Sequence, residues 1–118
     1  LEAGDLYVLH EDNQVIGVCV ILALDNITCE LKNIAIHPTF HRQGYGKKLV
    51  AFACKTAKQQ YRSMLVGTGD VPKTLRFYEE CGFKHSHRIP NFFIDHYDHI
   101  MIEDGVQLKD MVYLKKEL

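Results

Sequence analysis

The stretch His41-Arg42-Gln43-Gly44-Tyr45-Gly46-Lys47-Lys48-Leu49 decides how this chain is read. It follows an apolar segment, Asn33-Ile34-Ala35-Ile36-His37-Pro38, and it opens an amphipathic helix. Two glycines separated by one residue let the main chain approach a bulky anion with no Cβ in the way. The N–H groups of the first helical turn have no partner inside the helix. They point at such an anion, and the helix dipole favours its negative charge. The stretch therefore predicts a main-chain phosphate cradle. Spacing excludes two other phosphate loops. A Walker A loop needs Ser or Thr after its Gly-Lys, and Lys48 stands there. A dinucleotide fingerprint needs a third glycine three residues after the second, and Leu49 stands there.

Working outward, Thr28 to Ile36 reads as a strand whose apolar character is broken by Glu30, Lys32 and Asn33. A buried strand carries such residues where it faces a cleft. Val15 to Leu24 is apolar on both faces apart from Gly17, as expected of a strand covered on both sides. With Leu6–His10 as a further strand, and with polar turns at 11–14 and 25–26, these segments predict an antiparallel meander. Beyond the loop, a helix from about Tyr45 to Gln60 places Leu49, Phe52, Ala53, Thr56 and Ala57 on its inner face. Ser63–Thr68 reads as a short strand. Pro72 suits the start of the next helix and Gly82 its stop. Phe83–Arg88 and Met111–Lys115 can close the sheet. This order predicts one α/β domain over residues 1–118, with a mixed sheet flanked by helices.

Two longer motifs extend the reading. Glu30-Leu31-Lys32-Asn33-Ile34-Ala35-Ile36-His37-Pro38 resembles the fourth strand of the GNAT N-acetyltransferases. The loop after it resembles that family's acyl-CoA pyrophosphate loop, [QR]-x-x-G-x-[GA]. Leu75-Arg76-Phe77-Tyr78-Glu79-Glu80-Cys81-Gly82-Phe83 is similar to the family's late helix, which ends in Tyr-x-x-x-Gly-Phe. The resemblance covers nearly the whole chain and implies a GNAT-like, mostly antiparallel sheet. It also implies acetyl-CoA as acetyl donor, bound at His41, Arg42, Gln43, Gly44, Tyr45 and Gly46. Main-chain contacts to the pantetheine arm and to a developing oxyanion fall by resemblance on Ile34, Ala35 and Ile36.

The chemistry then needs an amine acceptor and a group to take its proton, because an amine near pKa 10.4 is mostly protonated at neutral pH. Glu30, fourteen residues before Gly44, stands where several family members carry a catalytic base; a cross-strand partner for Lys32 is the plainer role. Tyr78 occupies the position of the family's tyrosine, a proton donor to the departing CoA thiolate, or else a core tyrosine at helical spacing with Leu75 and Cys81. The chain departs from the family pattern at His41, where Gln or Arg is preferred, and at Asp70-Val71-Pro72, where an Asn is usual. The family's first strand and two following helices, which wall the acceptor site, have no counterpart in these 118 residues, as expected either of a minimal member or of a chain whose N-terminal part was lost or not included. That departure motivates a different expectation, a CoA-binding regulatory or interaction module without turnover.

Composition narrows the partners. Fourteen basic and fifteen acidic residues in 118 leave a net charge of −1, with no basic stripe for nucleic acid and no apolar run long enough for a membrane span. Leu1-Glu2-Ala3-Gly4-Asp5 has neither the basic start nor the apolar run of a signal peptide, so a cytoplasmic location is expected. Cys19, Cys29, Cys54 and Cys81 form no C-x-x-C and read as small buried thiols. His85-x-His87, with His96 and His99, lacks any further ligand at diagnostic spacing, so no metal is expected.

Twenty-two residues, Ile89 to Asp110, show no clear single element beyond a short helix near Asn91–Tyr97. They mix Phe92, Phe93 and Tyr97 with Asp95, Asp98, Glu103 and Asp104, a pairing that suits a cationic amine. Edge packing or homodimer formation would use the same residues. The acceptor itself is left open among small polyamines, antibiotics, peptide N-termini and protein lysines.

Overall fold

Asp12 and Asn13 both adopt left-handed backbone, with φ of 49° and 64°. Two consecutive residues of this kind make the tight turn that joins β1 (Asp5–Glu11) to β2 (Gln14–Ala23) as an antiparallel hairpin. The computed structural model describes residues 4–118; Leu1, Glu2 and Ala3, on which the signal-peptide reading partly rests, lie outside the described residues. At the next turn Asp25 Oδ1 accepts from the N–H groups of Ile27 and Thr28, which returns the chain into β3 (Thr28–Ile36). The remaining elements are α1 (Tyr45–Ala57), β4 (Ser63–Gly69), α2 (Pro72–Glu80), β5 (Lys84–Ile89), α3 (Phe92–Asp95), β6 (Ile102–Glu103), β7 (Val106–Gln107) and β8 (Met111–Glu117). Six strands form a mostly antiparallel sheet in the order β1-β2-β3-β4-β8-β5, so the fold is the expected mixed α/β arrangement. No helix among the described residues is long and apolar enough to cross a membrane.

The chain gathers into two compact units, Leu1–Leu65 with Glu117–Leu118, and Val66–Lys116. In the first, α1 packs on β2 and β3. Ile16, Cys19, Ile21, Cys29 and Leu31 from the strands meet Leu49, Val50, Ala53, Cys54 and Ala57 from the helix. The helix face therefore differs from the expected one. Phe52 is 47% exposed, with its ring edge-on to Tyr7, while Val50 and Cys54 are buried in its place. The cause is one of angle: a thirteen-residue helix on a twisted sheet buries the stripe through 50 and 54 rather than the one through 52 and 56. The expectation that β2 is covered on both sides also fails. Its pairing places Val18 and Val20 beside Val8 and Leu6, and this second face is partly open, with Leu6 64% exposed. Helix α1 can cover only one face.

In the second unit Val71, Phe93 and Leu108 form a small core backed by Phe92, Met101, Val106 and Met111. Arg88 Nη1 donates to Asp70 Oδ2 at 3.1 Å and to Asp110 Oδ2 at 2.9 Å, while Asp110 Oδ1 accepts from the Asn91 N–H. These bonds fix the residue after β4, the end of β5 and the approach to β8. The segment 89–110 is thus more ordered than its sequence suggests. It holds α3, inside the expected 91–97, and a hairpin whose turn residues Asp104 and Gly105 have φ of 50° and 75°. A register shift separates His85 from His87 on β5. His85 pairs with Leu114 and His87 with Tyr113, so the extra residue, Ser86, sends the two imidazoles to opposite faces of the sheet. His87 then stacks on Tyr113 at 4.8 Å.

Candidate active site

The first unit builds its site from an irregularity in β3. Val20 pairs with Lys32 and Val18 with Ala35, so the single residue Cys19 faces two, Asn33 and Ile34. Asn33 absorbs the extra residue with a left-handed backbone, φ 53°, a conformation that Asn tolerates better than most. The bulge also resets the alternation. Cys29 and Leu31 are buried ahead of it; Ile34 and Ile36 are the more enclosed positions after it, and Ala35 is exposed. Polar Glu30, Lys32 and Asn33 are thereby accommodated together, on a strand that is regular only on either side of them.

After β3 the chain makes a short 3-10 turn, Pro38–Phe40, whose capping residue His37 accepts the Thr39 N–H on Nδ1. His41 Nε2 donates to the Ile36 carbonyl at 2.7 Å, which ties the loop back to the strand end. At His41, where the family prefers Gln or Arg, the side chain thus serves as a brace to β3. Gln43 Nε2 donates to the Thr39 carbonyl at 3.2 Å. Arg42 and Gly44 are left-handed, φ 64° and 82°, on either side of Gln43, an alternation that turns successive N–H groups toward one side. Helix α1 begins immediately after Gly44 with no side-chain cap and no acidic residue in its first turn. Among the described residues no side-chain oxygen caps the N–H groups of Tyr45 and Gly46. A Cβ built on Gly44 has nothing of the protein within 4 Å, so the space before the helix end is open. The Tyr45 hydroxyl donates to Glu11 Oε2 at 2.7 Å, Phe40 packs edge-on to its ring, and Lys48 Nζ lies 5.2 Å from the ring centroid. The Glu11 bond pushes the Tyr45 phenol above its ordinary pKa. Glu11 and Lys48 thus hold the Tyr45 side chain, contacts that the sequence did not point to. Nothing local marks them, since the Glu11–Tyr45 bond joins residues 34 apart in the chain.

Glu30 lies three residues before Asn33, paired across the ladder with Leu22, and is partly exposed. No hydrogen bond or ion pair reaches its carboxylate among the described residues, the Lys32 ammonium included.

In the second unit Tyr78 is 5% exposed, its ring edge-on to Phe77 and Phe83. Burial, with smaller contributions from Cys81 and Glu103, raises its phenol to about 12. Its hydroxyl has no protein partner, yet no buried side-chain oxygen among the described residues lacks one, so the oxygen itself still reaches solvent. The raised value bears on the expected role as proton donor. Transfer from a phenol at about 12 to a thiolate whose conjugate acid lies near 8.5 is uphill by about 5 kcal/mol. Donating a hydrogen bond to the leaving sulfur is not. The raised value also sets a stability window. A phenol that is harder to ionise in the folded state than in the unfolded one contributes its full share below about pH 10. That share is lost as pH rises through about 12. Tyr78→Phe is therefore expected to hold wild-type stability near neutrality and to escape up to about 3 kcal/mol of alkaline destabilisation. Urea unfolding at pH 7 and pH 11.5 measures this, and equal alkaline losses in both proteins would contradict it.

A family profile described as the acetyltransferase (GNAT) domain matches residues 2–85. The whole chain is 35% identical to the uncharacterized N-acetyltransferase YvbK of Bacillus subtilis strain 168, over 77% of that protein's length. Among solved structures, a GNAT family acetyltransferase from Elizabethkingia anophelis with acetyl-CoA bound matches with a TM-score of 0.92 at 35% identity, over 98% of this chain and 76% of that one. A Bacillus subtilis acetyltransferase in complex with CoA matches with a TM-score of 0.93 at 34% identity, over 98% and 77%.

Proposed function

This chain belongs to the GNAT acetyltransferases, which makes it an acyltransferase, and we propose that it moves an acetyl group from acetyl-CoA to an amine by direct attack in a ternary complex. The observation that carries the proposal is the uncapped start of α1 behind a left-handed Gly44 with open space at its Cβ position. Main-chain donors and a helix dipole converge there on the volume a pyrophosphate would need. Relatives of this fold that hold acetyl-CoA or CoA support the same donor here. The reduced thiols of Cys19 and Cys29 fit a cytoplasmic setting, which is part of the proposal.

In the proposed reaction the amine nitrogen, after losing a proton, attacks the thioester carbonyl carbon. A C–N bond forms and the carbonyl oxygen gathers negative charge, which main-chain groups of Ile34, Ala35 and Ile36 stabilise by donation. The irregular ladder at Asn33 supports this role at Ile34, which has no register partner on β2, whereas Ala35 and Ile36 pair with Val18 and Gly17. The charge then returns, the C–S bond breaks and CoA thiolate departs while Tyr78 donates a hydrogen bond to the sulfur. Glu30, whose carboxylate has no bonded partner among the described residues, takes the first proton from the ammonium, directly or through water, and passes it to solvent. After attack the tetrahedral intermediate's nitrogen gives up a second proton to solvent, and the departing thiolate recovers one. Amide and thiol are the products, and one proton is released overall.

The test is thiol release from acetyl-CoA in the presence of a panel of amines. Release that depends on the amine supports the proposal. Tight CoA binding with no release from any amine would leave a binding module without turnover, and competition by free phosphate as strong as that by CoA would reduce the cradle to a generic phosphate site.

A further inference from the structure

The second unit contains a cleft that none of these roles uses. It opens between α3, with the turn after it, and the β6–β7 hairpin, and encloses about 280 Å³. Its inner wall is apolar: Phe93, Met101 and Leu108, held by the small core around Val71. Its rim is apolar as well but wet, with Tyr97 42% and Ile100 66% exposed. Tyr97 lies nearly parallel to Phe93, ring centroids 5.8 Å apart, so one aromatic face is supported from below. One carboxylate stands at the rim. Asp98 shares one oxygen with His99 Nδ1 at 2.8 Å, and its side chain is 98% exposed. From Pro90 to Leu108 the chain carries Asp95, Asp98, Glu103 and Asp104 and no Lys or Arg.

An apolar cleft with an aromatic shelf and a carboxylate at its mouth selects against two kinds of ligand. A polar cation without an apolar body leaves the inner wall unused, and an apolar acid meets only negative charge. We infer that this cleft binds the acceptor of the proposed transfer, and that the acceptor is a primary amine carried on an apolar body about the size of one ring, its ammonium drawn in by Asp98 at the mouth before the nitrogen is deprotonated and reacts. The inference rests on the transfer reading above. The hairpin links the cleft to the residue given the leaving-group role there: Glu103 accepts from Thr74 Oγ1 of α2 at 3.4 Å, and its charge is felt at the Tyr78 phenol.

Three probes with the same ring separate the contributions: 2-phenylethylamine, 2-phenylethanol and 3-phenylpropionate. Spermidine supplies charge without a ring. Binding is read directly by NMR shifts of the Met101 methyl and the Tyr97 ring, and turnover by thiol release. The amine is expected to perturb both reporters and to be acetylated, with the alcohol and the acid binding about tenfold more weakly or worse. Asp98→Asn, at a fully exposed side chain, should weaken amine binding and raise the amine KM about tenfold while leaving the KM for acetyl-CoA unchanged. Ile100→Ser should raise the KM for the arylalkylamine and not that for spermidine. Equal binding by Asp98→Asn and wild type, an equal or greater preference for spermidine, or shifts confined to other residues would overturn the assignment. So would a concentration-dependent dimer that Ile100→Ser disperses while amine binding persists, which would give the face to a second copy of the chain. If no amine releases thiol, the transfer reading fails on its own, and the NMR binding arm still decides whether the cleft takes this ligand.

Discussion

Gly44→Val is expected to fold and yet to gain no stability from acetyl-CoA. In the wild type, donor at about 100 times its dissociation constant should add about 2.7 kcal/mol, a rise in Tm of roughly 10 °C for a chain of this size. The variant has a modest intrinsic cost, about 1–2 kcal/mol, because a β-branched residue must adopt φ near +82°. That cost comes from the backbone alone, since a Cβ at this position touches nothing in the protein. On the proposed binding mode the added atoms would intrude on the open space beside the start of α1 that a pyrophosphate would fill. Gly44→Ala is the control, with similar backbone strain and less bulk, and should keep part of the ligand effect. Thermal unfolding with and without acetyl-CoA measures all three proteins. A folded Gly44→Val protein with the full ligand-dependent shift would show that the donor binds elsewhere.

Glu30→Gln is expected to lower kcat about 10²-fold and to remove the ascending limb of the pH–rate profile, with acetyl-CoA affinity unchanged. Glutamine keeps the shape and exposure of the side chain but cannot take a proton. Because Glu30 has no bonded partner among the described residues, the substitution strands nothing, and stability should move by less than about 0.5 kcal/mol. Loss of activity could then be assigned to proton removal rather than to misfolding. An unchanged pH–rate profile would return Glu30 to an ordinary strand position and move the base elsewhere.

The elements around the cradle were legible because local chemistry dictates them. Gly44 starts a helix with nothing to cap it, and Pro72 and Gly82 bracket α2. What the sequence concealed was set by pairing rather than by propensity. The slip at Asn33 is visible in hindsight, since apolar residues move from odd positions, 29 and 31, to even ones, 34 and 36. The polar run expected to face a cleft also carries a change of phase. The β6–β7 hairpin carried the signal Asp104-Gly105, overlooked because two-residue strands show no periodicity of their own. Ser86 gives no sign that it will be the odd residue between two histidines, and the bond from Glu11 to Tyr45 exists only once the hairpin has folded back.

On the proposed reaction, the extra residue in β3 sets stability and activity against each other. A chain lacking Asn33 would still place Cys29, Leu31, Ile34 and Ile36 in one unbroken alternation, so its buried face would survive the deletion intact. It would also shed a left-handed non-glycine residue and complete the ladder to β2. By those measures the shorter protein is the sounder sheet. It would also bring Ile34 into that ladder, beside Ala35, which already pairs with Val18, and draw His41 and the cradle one residue along the strand. Thermal screening of random deletions would therefore favour a change that a screen for acetyl transfer should reject.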